Sequence, residues 1–260
     1  MDMLQKTRNL GPKILKDIAI EDVLPYLNRK SLYRVSWGAL KARGEKWVQI
    51  QQEFDKRLEQ MLKDLQEKAW IQPKAGYGHW MASSSNNSIL IHDPHAPAHI
   101  IAEFELPRQN KPNGLCLADF LPQSDSDQTD LLSFQVVTIG TEASEMINAQ
   151  FTTGDYVEGY FSHGLAVQFA EATAAYIHNL IRQDLGIPKT RGRRYSWGYE
   201  PIPDLAQHEI LYKLIPARTE LGMDLTSAFQ LIPEQSTAAM VIHHENARYF
   251  HIQTDRIVNE

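Results

Sequence analysis

The residues best equipped for chemistry stand together in "RGRRYSWGYEPIPDL", residues 191–205. With Lys189, the guanidinium groups of Arg191, Arg193 and Arg194 form a basic cluster in a chain of net charge −6. A guanidinium is a planar fork that holds a carboxylate or phosphate through two parallel hydrogen bonds. The cluster therefore reads either as a solvated loop or as an anion site. Arg194 differs from its neighbours because Tyr195, Trp197, Gly198 and Tyr199 follow it. In extended backbone, alternate side chains point to opposite sides, which sets Arg194, Ser196 and Gly198 against the rings. Such a surface matches a flat heteroaromatic ligand bearing a carboxylate. Punctuated by Gly198, Pro201 and Pro203, the stretch reads as a holding loop rather than a strand.

Other chemically equipped residues carry less. Glu171 lies in "AVQFAEATAAYIH", a helical run so apolar that its carboxylate either faces a cleft or marks the one polar face. A buried carboxylate is costly unless paired. His92, His95 and His99 in "HDPHAPAH" are of a type that ligates zinc, but no carboxylate or thiol joins them at metal spacing, and no metal centre is expected. "HHENARYFH" lacks the H-E-x-x-H order of a zinc protease helix. Cys116, the single cysteine, sits in an apolar run and reads as core. It excludes an internal disulfide and suits a reducing compartment. There is no G-x-S-x-G elbow and no G-x-G-x-x-G fingerprint; "VTIGTEASE" has one glycine.

The elements that must position these residues follow from periodicity. Pro25 separates two short helical segments, and Asn28 is placed to cap the second. In "EKWVQIQQEFDKRLEQMLKDLQEKAW", Trp47, Ile50, Phe54, Leu58, Met61, Leu62 and Leu65 form one apolar stripe of a helix. From 75 to 140 the runs "SILIHD", "AHIIAEFEL", "GLCLADFL" and "LLSFQVVTIG" read as antiparallel strands, with "SSSNNS" at 83–88 as a turn or exposed loop. A long helix is predicted over about 158–184, closed near Gly186. Asp204 and Gln207 then resemble a capping box opening a helix through "LAQHEILYKLI". Strands "LTSAFQLIP" and "TAAMVIHH" complete the pattern. The expected fold is α+β, a single domain over 13–260 with an antiparallel β-sheet flanked by helices, after an irregular segment over 1–12.

Composition bounds the function. With 260 residues, 43% of them apolar, the chain can bury a sizeable core. A net charge of −6 argues against a nucleic-acid-coating surface. No run of about 18 apolar residues spans a bilayer, and the N-terminus lacks a secretion signal; the expected location is cytoplasmic.

Six blocks carry a family resemblance: "ILKDIAIEDVLPYLNRKSLYRVSWGAL", "CLADFL", "HGLAVQFAEATAAYIH", "RYSWGYEPIPDL", "GMDLTSAFQLIP" and "ARYF". In order and spacing, from about residue 13 to 255, the chain resembles the activation domain of cobalamin-dependent methionine synthase. The resemblance implies an elongated groove for S-adenosylmethionine, the methyl donor for reductive methylation of cob(II)alamin. Cobalamin is then carried by a partner, the cobalamin-binding module of methionine synthase, and flavodoxin or an equivalent reductase supplies the electron. The family motif Arg-x-x-x-Gly-Tyr matches Arg194, Gly198 and Tyr199. That match gives Arg194 the ligand carboxylate, the backbone at Ser196 the adenine end, and Tyr199 a place near the reacting centre as the catalytic assignment. Asn28 falls on the contact to the ligand ammonium, Glu171 on a second carboxylate, and Tyr249 and Phe250 on a late aromatic pair. Asn28 replaces the family's usual Asp, "GYEPIP" adds Glu200, and "STAA" at 236–239 replaces a Ser-x-Ser-Gly segment. These departures define a second reading, a non-catalytic binding or regulatory module with a weakened site. The cobalamin-ligand motif and the zinc-thiolate site are absent, so the chain is not expected to make methionine alone.

Overall fold

The computed structural model describes residues 10–126 and 128–252. Its strands are β1 (Gly11–Leu15), β2 (Lys74–Ser85), β3 (Ser88–His92), β4 (Ile100–Glu105), β5 (Asp130–Thr138), β6 (Arg193–Ser196), β7 (Asp224–Leu225), β8 (Leu231–Ile232) and β9 (Ser236–Ile242). Among the described residues, seven of these form one sheet in the order β4-β3-β2-β5-β9-β6, with β1 beside the first half of β2. Every pairing in it is antiparallel.

Alternation along the strands feeds two cores. Trp80 and Ala82 of β2, Phe134 and Val136 of β5, and Met240 of β9 enter one cluster with Tyr195 and Trp197. Tyr77, Leu131, Val137 and Val241 point the other way, into a cluster shared with the long helices. Those helices are α1 (Gly44–Lys68), α2 (Thr141–Thr152) and α3 (Tyr156–Leu185), followed by the shorter α4 (His208–Leu214) and α5 (Ala217–Leu221). The stripe of α1 buries Leu58, Met61 and Leu65. Helix α3 starts where Asp155 accepts a hydrogen bond from the Glu158 amide and stops at Gly186 in the left-handed region (φ 60°). Its small buried residues, Ala166, Ala170 and Ala174, bring its backbone close to the sheet, so Gln135 Nε2 donates to the Ala174 carbonyl at 3.2 Å. The expected antiparallel α+β architecture is the observed one.

Several local expectations are corrected. "GLCLADFL" is not a strand: Leu117–Phe120 form a 3₁₀ turn, with the Asp119 carboxylate accepting from the Cys116 amide at 2.9 Å and from Arg108. The run looked like a strand because the turn is buried throughout, which erases any period. "LTSAFQLIP" is two two-residue strands joined by a tight turn; Thr226 Oγ1 accepts from the amides of Ala228 and Gln230, and Phe229 takes φ 60°. "RRYS", read as loop, is strand β6, paired from Arg193↔Ile242 to Ser196↔Ala239. Gln207 does not close a capping box; Asp204 caps the Ala206 amide while Gln207 Nε2 donates to the Glu105 carbonyl. The irregular segment expected over 1–12 lies largely outside the described residues; Gly11 and Pro12 at its end already pair with β2. Helix α2 and strands β1 and β2 were not anticipated; Ser83–Ser85 of "SSSNNS" belong to β2, and Asn86 and Asn87 form the turn.

Candidate active site

A groove of about 600 Å³ opens between α3, β6, the start of β9 and the β7–β8 hairpin. Strand β6 sits at the sheet edge, bonded on one side to β9, so backbone groups on its other side are free for a ligand. After it, Gly198 adopts φ 84°. Its amide bonds the Ile202 carbonyl at 2.8 Å and Ile202 bonds back to Tyr199 at 2.7 Å. This turn holds Tyr199 outward at the groove, 73% exposed.

Of the residues singled out in the sequence, Glu171, Ser196 and Tyr199 line the groove. Arg194 stands two residues before Ser196, its Nη2 3.9 Å from Glu171 Oε2, with 27% of its side chain exposed. Among the described residues its guanidinium makes no hydrogen bond. Both readings of Glu171 meet here: the side chain is 56% exposed, and the exposure faces the groove. The other arginines are spent on structure. Arg191 Nε donates to the His243 carbonyl at 3.2 Å and Arg193 Nη1 to the Thr190 carbonyl at 3.3 Å.

Arg194, Asn28, Tyr249 and Phe250 are not among the groove's lining residues; of these, Arg194 stands beside one that is, Glu171. Asn28 Oδ1 accepts from the Ser31 amide at 3.0 Å, capping the short helix Arg29–Ser31. The Tyr249 ring lies 5.4 Å from that of Tyr195, whose hydroxyl donates to the Arg248 carbonyl. Phe250 packs on the core that Tyr195 and Trp197 enter. The expected alternation holds, with Tyr195 and Trp197 buried and Arg194 and Ser196 half-buried. The rings, however, go into the core, and only Trp197 also reaches the groove.

Two residues of the groove were not anticipated from the sequence, and Glu200 is placed differently from the expectation. Glu234 supplies a second carboxylate to the groove, with His163 Nε2 3.4 Å away. His208 lines the groove's inner wall; burial pulls its pKa below the ordinary value, against the smaller opposite pull of the Phe229 carbonyl that it bonds. Glu200, the residue added beside the site, points elsewhere: its Oε2 accepts from the Ile252 amide at 2.9 Å and lies 3.0 Å from His251 Nδ1. Two further singled-out residues, Cys116 and His92, are structural. Cys116 is fully buried, which raises its thiol pKa, and His92 bonds Ser83 and the Pro97 carbonyl.

Two carboxylates, an edge-strand backbone and apolar side chains thus line one groove, with the Arg194 guanidinium beside it next to Glu171, a set suited to a zwitterionic ligand with a flat ring. The model of the family described as "Vitamin B12 dependent methionine synthase, activation domain" matches residues 40–257. Methionine synthase of Mycobacterium leprae (strain TN) is 30% identical over 272 residues, covering 93% of this chain and 22% of the relative. That of Mycobacterium tuberculosis (strain ATCC 25618 / H37Rv) is 31% identical, covering 93% and 23%. The chain therefore spans less than a quarter of the length of these relatives. The fold matches "Crystal Structure of the MetH Reactivation Domain bound to AdoHcy" with a TM-score of 0.83 at 22% identity, covering 95% of this chain and 82% of that one. On this fold, this groove and the family match over most of its length, the chain belongs to the activation-domain family of vitamin B12 dependent methionine synthase.

Proposed function

We propose that the groove binds S-adenosylmethionine and presents its methyl group for the reductive methylation of cob(II)alamin carried by the cobalamin-binding module of a methionine synthase. The observation that carries this reading is Arg194, a guanidinium without a hydrogen bond among the described residues, whose Nη2 lies 3.9 Å from Glu171, a residue that lines the groove. S-adenosylmethionine bears a carboxylate, an ammonium, a sulfonium and a purine. Arg194 suits the carboxylate and Glu171 and Glu234 suit the cationic centres. The free edge of β6 at Ser196, with Trp197 and Leu205, suits the purine. The solved neighbour of the same fold carries AdoHcy, which is this donor without its methyl group.

Little acid–base work is asked of the protein. A methyl on a sulfonium is already activated, so the chain's task is to hold the donor in line and keep it there. Cobalamin, held by another module, supplies the cobalt that accepts the methyl group. Tyr199 lines the groove and is exposed to a group entering from outside, which supports a place for it near the reacting centre. Glu200 is committed to residues 251–252 rather than to the groove, so this departure from the family pattern does not favour a decayed site.

A reductase partner, flavodoxin or an equivalent, is supported by charge. Residues 29–46 carry Arg29, Lys30, Arg34, Lys41, Arg43 and Lys46 against Glu45 alone, a basic surface on a chain of net charge −6. Exposed Val35 and Leu40 lie among them in a shallow depression. An acidic protein would be steered to this surface. A single cysteine suits the reducing cytoplasm, and no helix among the described residues is long and apolar enough to cross a membrane. Calorimetric titration with S-adenosylmethionine tests the reading. Binding is expected, and Arg194→Ala should weaken it about ten- to hundredfold, the worth of a hydrogen bond to a charged group. No heat at millimolar ligand would remove the reading.

A further inference from the structure

His208 opens α4 at the groove, and only 3% of it is exposed. Its Nδ1 lies 2.8 Å from the Phe229 carbonyl oxygen. A carbonyl only accepts, so Nδ1 carries the hydrogen, and the neutral ring keeps a bare lone pair on Nε2. The opposite tautomer would set two acceptors against each other. Among the described residues Nε2 has no partner.

Both sides of this ring are fixed from behind. Phe229 owes its position to the Thr226 turn, where φ 60° at Phe229 aims the carbonyl back at α4. The Trp197 ring lies 5.5 Å from the His208 ring. Trp197 Nε1 donates to Gln207 Oε1, and Gln207 Nε2 donates to the Glu105 carbonyl. A locked acceptor beside an aromatic wall is a reader of hydrogen-bond polarity, because it cannot turn to offer a donor instead.

We propose that His208 is a specificity-determining residue of the groove: its Nε2 accepts a hydrogen bond from the exocyclic amine of a 6-aminopurine and disfavours a 6-oxopurine. The inference rests on reading the groove as a nucleoside site. With an amine present the lone pair is answered. With an oxo group two acceptors meet, and a buried acceptor goes without a partner. Burial keeps the ring neutral near pH 7, so protonation does not convert Nε2 to a donor.

The test compares AdoHcy with S-inosylhomocysteine, its 6-oxo counterpart, by calorimetry on the wild-type chain, His208→Phe and His208→Gln. The wild type should prefer AdoHcy about ten- to hundredfold. In His208→Phe, which fills the volume without an acceptor, the ratio should fall toward one. His208→Gln, whose amide can turn either way, should bind both ligands with similar affinity and serves if the Phe variant fails to fold. A wild type that binds both ligands equally, or variants that keep its ratio, would overturn the proposal. A wild type that binds neither ligand would instead remove the reading of the groove itself.

Discussion

Arg194 and Arg191 are chemically identical and three positions apart, and the structure gives them opposite work. Arg191 is pinned to the His243 carbonyl, whereas Arg194 keeps its donors. Arg191→Ala should therefore lower the unfolding midpoint by the loss of about 1 kcal/mol while leaving ligand affinity near the wild-type value. Equal loss of affinity in both variants would show that the segment acts through bulk charge. Asn28→Ala should cost about 1 kcal/mol by removing the cap on Arg29–Ser31, which urea unfolding can read. At this scale the sequence was informative where one short segment holds the whole pattern, as in Arg194 through Tyr199. It was silent where partners come from distant elements. Nothing local marks His208, because its role depends on a carbonyl 21 residues away; likewise Glu234 reaches the groove only through the β7–β8 hairpin.

The strands bring together a polar seam that no sequence pattern announced. Asp184 accepts from Lys13 Nζ at 2.7 Å and from the Tyr77 hydroxyl at 3.2 Å, and lies 3.4 Å from His79 Nε2. If the carboxylate is answered by that nitrogen, His79 Nδ1 is an acceptor and takes the Ser133 hydroxyl hydrogen at 2.7 Å. Ser133 Oγ then accepts from His243 Nε2 at 2.7 Å. Ser133→Ala would leave two buried imidazole nitrogens without partners, at about 1–3 kcal/mol each; chemical denaturation should show it, and a change near zero would mean water replaces the hydroxyl. Gly78 is a second element-scale constraint. A Cβ there would run into the Gly11 carbonyl of β1, so Gly78→Ala should loosen the β1 edge and cost about 1–3 kcal/mol, seen as faster amide exchange in β1. Strand β2, buried on both faces, shows no alternation to read, whereas helices α1 and α3 and strand β5 were legible because their patterns persist over many residues. The 3₁₀ turn at Leu117–Phe120 and the two-residue strands β7 and β8 were not, since each is shorter than the window in which a period can be recognised.

Across the whole molecule, burial of neutral histidines ties stability to pH. Burial, helped by neighbouring arginines, lowers His178 to about 3, and burial, helped by His79, His178 and nearby arginines, lowers His243 to about 3. Both would titrate near 6.5 in the unfolded chain. Between those values the unfolded state binds protons that the native state refuses, so stability is full above about pH 6.5 and falls as pH drops toward 3. The urea midpoint should be lower at pH 5 than at pH 7.5, and equal midpoints would contradict the neutral, buried assignment. The charge asymmetry acts at the same scale: if residues 29–46 receive an acidic reductase, added salt should slow its association with the wild type and do so less in Lys41→Glu. Both effects concern the frame around the groove, whose purpose is decided by its ligand. A crystal structure of the chain with AdoHcy tests that directly. The account predicts the ligand in the groove, its carboxylate on the Arg194 guanidinium and its purine against β6 near Ser196 and Trp197. An empty groove at saturating AdoHcy, or a ligand bound there with Arg194 still turned to Glu171 alone, would contradict it.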